Sequence, residues 1–398
     1  MRKIQPSVFL CTLKGNTMDS PRIGIITTSG NLFNSGMAQN AYFIYDVLTK
    51  CGFTCDLLCF DEKFTKLSYN DTPIKTIYDN DLRFDVTVYK LIITVASGIC
   101  KEMYDICKTN KIRIVAFLCG NVFHMNNAAF ISDVSIASVI TKSTPSDEAW
   151  IIESFAYMKT YVEILRNIPA RLVPHLWSPC LIDYATSSVF QRNTGDLVYN
   201  PVNHTQKKAT ILIMESNIDY VKTALLPIMA CEKLYQQYPD LIDEVLVFSF
   251  PTKSKAAAAI INSLTVRPKI RIFERIHIVD IMTTYNKKST MPIFLSWQQH
   301  NEWNYSYYEL MYYGYPFVHN SGMMSDFGYS YNELNIDKCV EQIRIALESH
   351  NTLHESHMKK GRHYLESIDP AKPTAQHAWK DLIIDTINTS GKTSSLFS

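Results

Sequence analysis

The sequence predicts an α/β protein with two domains, each built around a parallel β-sheet. The chain has 398 residues, which is enough for two domains of ordinary size with separate cores. Its hydrophobic content of 46% and charged content of 19% are typical of a globular protein. Short apolar runs alternate with helix-like segments in two successive series, and such alternation favours parallel sheets with right-handed crossovers. Two halves of this kind would face each other across a cleft.

Charge and hydropathy exclude some classes of function. The formal net charge of +1 gives no general attraction to nucleic acid or to an anionic membrane, so we regard nucleic acid as an unlikely partner. No apolar run approaches the ~18 residues of a membrane-spanning helix. The apolar run Val8 to Leu13 is shorter than the core of a signal peptide. We therefore expect a cytoplasmic protein without a membrane span.

The ten cysteines do not predict a metal site. Most lie inside apolar runs, and no close pair has the spacing of zinc ligands. Cys51, Cys55 and Cys59 are four residues apart, but the last two flank a strand-like run. We interpret all three as small core residues and expect no bound metal or cofactor.

The first series begins after a predicted leader, residues 1–20. A strand at Arg22–Thr28 is followed by a loop with two glycines and a helix from about Asn40 to Lys50, which is the opening unit of a Rossmann-like domain. Gly36 lies just before this helix, whose free N–H groups can bind an anion or a sugar oxygen. An ordinary loop is the alternative, and the spacing is not a dinucleotide fingerprint.

The remaining elements complete two Rossmann-like domains. We assign residues 21–183 to the first domain, 184–208 to a linker, 209–368 to the second domain, and 369–398 to a helix that returns to the first domain and a tail. The predicted strands are 54–60, 85–95, 112–118, 170–173, 209–214, 244–250, 270–273, 291–297 and 317–318. The predicted helices are 98–109, 147–164, 222–238, 253–264, 279–286, 303–313, 337–349, 354–368 and 375–387.

One stretch of the second domain concentrates polar residues where strands end. The predicted strand Met291–Trp297 leads into a polar loop, a helix, Gly314 and a second short strand, Phe317-Val318, which is followed by another polar loop. Open α/β sheets bind ligands at the carboxyl ends of their strands. Glu309 lies inside the helix, where a carboxylate is either solvated or directed at a sugar or nucleotide hydroxyl.

The run Glu309 to Pro316 resembles the Glu-Ala-Met-Ala-x-Gly-x-Pro signature of nucleotide-sugar-dependent glycosyltransferases with the GT-B fold. This resemblance implies that Glu309 holds the ribose of a donor nucleotide. The chain is also similar to a bacterial family of glycosyltransferase-like proteins known only as a domain of unknown function. The matching runs are Asn304 to Ser321, Gly120-Asn121, Pro174 to Pro179 and Glu215 to Lys222.

The same resemblance implies a site for the donor diphosphate. Similar GT-B enzymes carry an Arg, four residues and then a Lys after the first strand of the second domain, and both cations contact the diphosphate. Here Lys222 matches and Asn217 stands in place of the Arg. Lys222 is expected at a helix N-terminus, although a solvated lysine is the alternative. The loop His319-Asn320-Ser321 can offer N–H groups and a hydroxyl to phosphate.

The catalytic residues are less well defined. Many retaining GT-B enzymes place a second Glu eight residues before the ribose Glu, but this chain has Asn301 there and Glu302 one residue later. Either Glu302 is functional after a slip of the loop, or Asn301 or His300 contacts the sugar. Gly120-Asn121 follows a strand, and the resemblance makes Asn121 a donor contact. His124 is the candidate for a base on the acceptor side, or a packed histidine.

The sequence therefore predicts a metal-independent glycosyltransferase. Its substrate is a nucleotide-diphosphate sugar, and its acceptor is an unknown glycan, protein or small molecule. Two alternatives stay open: a binding module that has kept the nucleotide pocket but lost turnover, and a nucleotide-sugar epimerase with two Rossmann-like domains.

Overall fold

A computed structural model shows two parallel sheets with helices packed on them. It describes residues 20–27, 32, 35–60, 74–76, 85–131, 145–217 and 220–389. The predicted leader and tail therefore lie almost entirely outside the described residues.

The first sheet has seven strands in the order β3-β2-β1-β4-β5-β6-β7, and all pairs are parallel. The central strands are buried on both faces and rich in Ile, Val and Leu, as expected for a sheet covered by helices. The strands are β1 Arg22–Thr27, β2 Thr54–Cys59, β3 Ile74–Thr76, β4 Leu91–Val95, β5 Arg113–Leu118, β6 Glu148–Ile152 and β7 Ala170–Val173. The helices are α1 Gly36–Lys50, α2 Lys101–Thr109, α3 Val122–Ile131, α4 Lys159–Arg166 and α5 Cys180–Tyr184.

The second sheet has six strands in the order β10-β9-β8-β11-β12-β13, again all parallel. Its strands are β8 Ala209–Ile213, β9 Ile242–Phe248, β10 Ile270–Phe273, β11 Met291–Leu295, β12 Phe317–His319 and β13 Tyr329–Ser330. Its helices are α6 Leu225–Gln237, α7 Lys255–Asn262, α8 Ile278–Tyr285, α9 Tyr305–Tyr313 and α10 Ile336–Ser367. A last helix, α11 Pro373–Asn388, follows.

The prediction of a helix over residues 147–164 is wrong for its first residues, which form a strand. Residues 148–152 form strand β6, which lies between β5 and β7, and all five residues are buried. Glu148 tolerates this position because Arg113 and Arg171, on the neighbouring strands, contact its carboxylate at 3.2 and 2.8 Å. A buried charge is stable only when it is paired in this way.

Other boundaries also differ from the prediction. The predicted strand 85–95 begins only at Leu91, because Asp85 caps a short turn at Val86–Val88. The predicted helices 337–349 and 354–368 form one continuous helix, α10. The predicted linker contains short helical turns rather than an irregular chain.

The last helix packs against the first sheet. Trp379 of α11 is fully buried, and its ring contacts that of Trp150 on β6 with centroids 5.8 Å apart. Arg171 of β7 also pairs with Asp385 at 2.6 Å. Helix α11 therefore links the end of the chain to the first domain.

Candidate active site

The carboxyl ends of the two sheets enclose a cleft of about 600 Å³. Its walls come from residues that follow β1, β5, β6 and β7 of the first sheet and β8, β9, β10 and β11 of the second. This is the position at which open α/β sheets bind ligands, and the volume suits a molecule of nucleotide size. Its lining residues include Gly36, His175, Glu215, Lys222, Arg275, Asn301, Trp303, Tyr305, Tyr308 and Glu309.

Four of the twelve predicted site residues line this cleft: Gly36, Lys222, Asn301 and Glu309. Gly36 opens α1 on the side of the first domain, and the other three come from the second domain. A Cβ atom added at Gly36 would lie 3.2 Å from the Tyr305 ring. Glycine at this position therefore allows the two domains to approach closely.

Glu309 lies on α9, a helix that the local sequence specifies at both ends. The Asn304 side chain accepts a hydrogen bond from the N–H of Ser306, and Gly314 ends the helix in the left-handed conformation. The partly buried carboxyl of Glu309 has no hydrogen-bond or ionic partner among the described residues. Because burial without a partner disfavours the charged form, its pKa is raised to about 8.

Lys222 does not lie at a helix N-terminus as predicted, because α6 begins only at Leu225. Its backbone forms a bridge with Gln298, and its carbonyl accepts from Asn217 N at 3.1 Å. These contacts hold the residue in a loop at the edge of the cleft. The nearby Glu215 is buried, which raises the pKa of its carboxyl, although the charge of Lys222 acts in the opposite direction.

Asn217 supports the loop instead of replacing the missing arginine. Its backbone has a φ of 52°, a conformation that asparagine tolerates better than most residues. Its Oδ1 accepts from Ala224 N at 2.8 Å, and its Nδ2 donates to the carbonyls of Glu215 and Ser249 at 2.9 and 3.3 Å. The side chain is therefore fully used within the protein.

The predicted loop 319–321 is also hydrogen-bonded within the protein, and it does not line the cleft. His319 is fully buried; its Nδ1 accepts from Ser321 N at 3.2 Å and its Nε2 donates to the Phe327 carbonyl at 2.9 Å. This arrangement requires a neutral ring, and burial lowers its pKa to about 4. Asn320 donates to the carbonyl of Gln298 at 2.6 Å.

Glu302, one of the two predicted catalytic residues, belongs to the same network. Its carboxylate lies 2.8 Å from Ser321 Oγ and accepts from Met323 N at 3.4 Å. It therefore stabilises the turn after β12. Glu302 does not line the cleft.

Asn121, His124 and His300 form a contact between the two domains next to the cleft. The His300 carbonyl accepts from Asn121 Nδ2 at 2.6 Å and from the Tyr157 hydroxyl at 2.9 Å. The rings of His124 and His300 are stacked, with centroids 5.5 Å apart and an interplanar angle of 13°. His124 Nδ1 also contacts the Tyr220 hydroxyl at 2.8 Å. His124, the other predicted catalytic residue, therefore takes part in the contact that holds the domains together.

The structure adds cleft residues that the sequence did not single out. His175 follows β7 and is surrounded by the rings of Trp303, Tyr305 and Tyr308, at centroid distances of 5.1, 5.8 and 5.5 Å. Burial lowers the pKa of His175 to about 3. Arg275 follows β10 and contributes a second cation. The run Pro174 to Pro179 was the available signal for His175, whereas nothing in the sequence marked Arg275.

Two further properties concern the described residues as a whole. Within them, no group of three or more His, Cys, Asp or Glu side chains is arranged to hold a metal ion. None of the described helices combines the length and apolar composition that crossing a membrane requires.

Solved structures of glycosyltransferases share this architecture. Sucrose-phosphate synthase from Thermosynechococcus elongatus aligns over 93% of this chain and 98% of its own, with a TM-score of 0.59 and 11% identity. A glycosyltransferase from Rickettsia africae aligns over 94% and 100%, with a TM-score of 0.57 and 13% identity. HepE from Anabaena, solved with UDP and glucose, aligns over 93% and 100%, with a TM-score of 0.58 and 11% identity. These similarities establish the GT-B fold.

Comparison with curated proteins finds no match. A family model described as "Protein of unknown function (DUF2827)" matches residues 22–383, which include both sheets and the cleft. The chain therefore belongs to the DUF2827 family.

Proposed function

We propose that this protein transfers a sugar from a nucleotide-diphosphate donor to an acceptor hydroxyl without a protein-bound metal ion. The observation that carries the proposal is the position of Lys222 and Glu309, which come from the loop after β8 and from helix α9 and line one cleft. A cation for phosphate and a carboxyl for ribose are the groups that a nucleoside diphosphate requires. HepE, which has the same fold, was solved with UDP and glucose.

In the proposed reaction the bond between the sugar C1 and the diphosphate oxygen breaks, and a bond from C1 to the acceptor oxygen forms. The acceptor's hydroxyl proton is released to the solvent, and negative charge develops on the leaving diphosphate. Fixed positive charge stabilises that leaving group most effectively in a site shielded from water. Lys222 and Arg275 supply it in this proposal, and Arg275 compensates for the arginine that Asn217 replaces.

Glu309 is suited to the ribose because the protein itself does not satisfy its carboxyl group. Two ribose hydroxyls would offer the hydrogen bonds that the described residues do not provide. Asn301 and Gly36 lie on opposite walls of the same cleft, where the donor sugar would be held. Glu302 and His124 are engaged in contacts outside the cleft, so the proposal gives them supporting roles and not catalytic ones.

A binding module without turnover is the second candidate. Two observations favour it: Asn217 is fully used in supporting its loop, and Asn301 occupies the place of a possible second acid. Such a protein would still bind the nucleotide through Lys222 and Glu309. The two candidates therefore differ in turnover and not in affinity.

The proposed location is the cytoplasm. The nine described cysteines are free thiols, which fits a reducing compartment.

Thermal-shift screening of nucleoside diphosphates and nucleotide sugars, followed by product analysis of the hits, tests the proposal. We expect one nucleotide sugar to stabilise the protein and to be consumed when varied acceptors are added. Binding without turnover would favour the module, release of a free epimer would indicate an epimerase, and no binding would contradict the proposal.

Lys222→Ala gives the matching residue-level test. A charge-assisted hydrogen bond to phosphate contributes roughly 1.5–3 kcal/mol, so affinity for the nucleoside diphosphate should fall by about tenfold to a hundredfold. Calorimetry with Lys255→Ala, an exposed lysine on α7, provides the control. Equal affinity of wild type and Lys222→Ala would show that Lys222 does not contact the diphosphate.

A further inference from the structure

The cleft contains a cluster of buried polar atoms that have no hydrogen-bond partner. Both ring nitrogens of His175, the indole Nε1 of Trp303 and the hydroxyl of Tyr305 are each buried and unpaired among the described residues. A buried polar group without a partner normally costs stability, so proteins keep few of them. Neighbouring residues of this kind in one cleft wall therefore require an explanation.

The rings of this cluster come from both domains. His175 follows β7 in the first domain, whereas Trp303 lies just before α9 and Tyr305 at its start in the second. The Tyr305 ring also contacts Phe43 of α1, with centroids 6.1 Å apart, and packs closely against Gly36. The three unpaired side chains thus meet where the two domains touch, inside the wall of the cleft.

The chemistry of these groups identifies the class of ligand. A neutral imidazole offers one donor and one acceptor, the indole offers a donor, and the phenol offers both. Because donors and acceptors are mixed, the cluster suits hydroxyl groups, which also donate and accept. An anion would accept only, and the neighbouring Glu309 would repel it once ionised. The aromatic faces suit the C–H surface of a sugar ring.

We propose that His175, Trp303 and Tyr305 form a subsite for a neutral pyranose ring, and that its hydroxyl groups pair with their unpaired polar atoms. The polar atoms lie within the wall, so binding includes a turn of these side chains toward the ligand. The inference rests on the proposed function only in assuming that a substrate sugar enters this cleft. It adds three contact residues for that sugar, one of which belongs to the first domain.

Helix α9 contains a matched pair of tyrosines for the test. The Tyr305 hydroxyl is unpaired, whereas the Tyr307 hydroxyl lies 2.6 Å from Ser296 Oγ and accepts from Gln298 Nε2 at 2.8 Å. Tyr305→Phe should leave the melting temperature unchanged or raise it, while Tyr307→Phe should lower it. If Tyr305→Phe lowers it as much as Tyr307→Phe does, the Tyr305 hydroxyl has an internal partner and the subsite is wrong.

Binding is measured by saturation-transfer NMR on the full chain with free glucose, galactose, mannose and N-acetylglucosamine, in the presence and absence of UDP. At least one pyranose should show saturation transfer from the wild-type protein. Tyr305→Phe and Trp303→Phe should each reduce the signal by about threefold or more, as expected for the loss of one hydrogen bond. Tyr307→Phe should leave the saturation-transfer signal unchanged. No transfer to any of the four sugars, or transfer that both variants retain, would overturn the proposal.

A second measurement distinguishes a donor sugar from an acceptor sugar. If the subsite holds the donor sugar, Tyr305→Phe will reduce the affinity advantage of UDP-glucose over UDP. If it holds the acceptor sugar, that advantage will persist. The free pyranose will then still show saturation transfer when UDP-glucose is bound. Pyranose binding without any nucleotide binding would support the subsite and contradict the proposed transferase. Nucleotide binding without any pyranose binding would contradict the subsite alone.

Discussion

Two groups of polar residues differ in how the protein uses their side chains. The paired group, Asn217, Glu302, His319, Asn320 and Ser321, is hydrogen-bonded within the second domain. The unpaired group, His175, Trp303, Tyr305 and Glu309, lines the cleft. The first three have buried polar atoms without partners, and the Glu309 carboxyl is partly buried and has no partner among the described residues. Paired residues shape the loops, whereas unpaired residues retain the capacity to bind a ligand. Both groups follow strands, so position in the chain does not separate them.

The largest expected effect concerns a paired residue. Asn217→Ala removes three hydrogen bonds and places alanine at a φ of 52°. With about 1 kcal/mol for each hydrogen bond and a further penalty for the left-handed conformation, the free energy of unfolding should fall by roughly 3–4 kcal/mol. Urea unfolding measures this change.

Asn217→Asp is the control, because it keeps the acceptor for Ala224 N and a residue type that tolerates positive φ. The free energy of unfolding should fall clearly less in Asn217→Asp than in Asn217→Ala. If Asn217→Ala costs less than about 1 kcal/mol, which is the value for a single hydrogen bond, then Asn217 does not hold the loop and belongs with the ligand-binding residues.

Replacing the unpaired Glu309 by Gln should raise the free energy of unfolding, by less than Asn217→Ala lowers it. The pKa of Glu309 is raised from an ordinary value of 4.5 to about 8, so the folded state holds this proton more tightly than the unfolded chain. Stability is therefore lost as the pH rises from about 4.5 to 8, and the penalty is complete above that range. Glu309→Gln removes the penalty. It should stabilise the protein by roughly 2–3 kcal/mol at pH 8.5, less than the full shift implies because water reaches part of the side chain.

The difference in the free energy of unfolding between Glu309→Gln and the wild type should disappear near pH 4, where both carry a neutral side chain at position 309. Glu153→Gln, at an exposed position, should follow the wild type throughout. Equal stability of Glu309→Gln and the wild type at pH 8.5 would indicate that the Glu309 carboxylate has a partner after all.

Much of the fold was predictable from the sequence, because most strands are short apolar runs between polar loops. Strand β6 was missed because Glu148 is charged, and its two arginine partners lie 23 and 35 residues away in the chain. No local pattern reveals such pairing. The break predicted within α10 was also wrong, since polar residues on one face of a long helix resemble a loop.

The site was predicted less completely, for a similar reason. The resemblance directed attention to Lys222 and Glu309, and the cleft contains both. It also pointed to His319 and Ser321, whose hydrogen bonds to Phe327 and Glu302 become clear only from the folded loop. His175 was overlooked because its neighbours Trp303 and Tyr305 lie more than a hundred residues further along the chain.

The most direct test of the account is the response of Glu309→Gln to two versions of one donor. The proposed contact joins the Glu309 carboxyl to both ribose hydroxyls, so the substitution should weaken binding of the ribonucleotide sugar by about tenfold. The 2′,3′-dideoxy counterpart lacks those hydroxyls, and its affinity should change by less than about twofold. Calorimetry at one pH compares the two ligands on the same protein. Equal losses for both ligands would contradict a ribose contact.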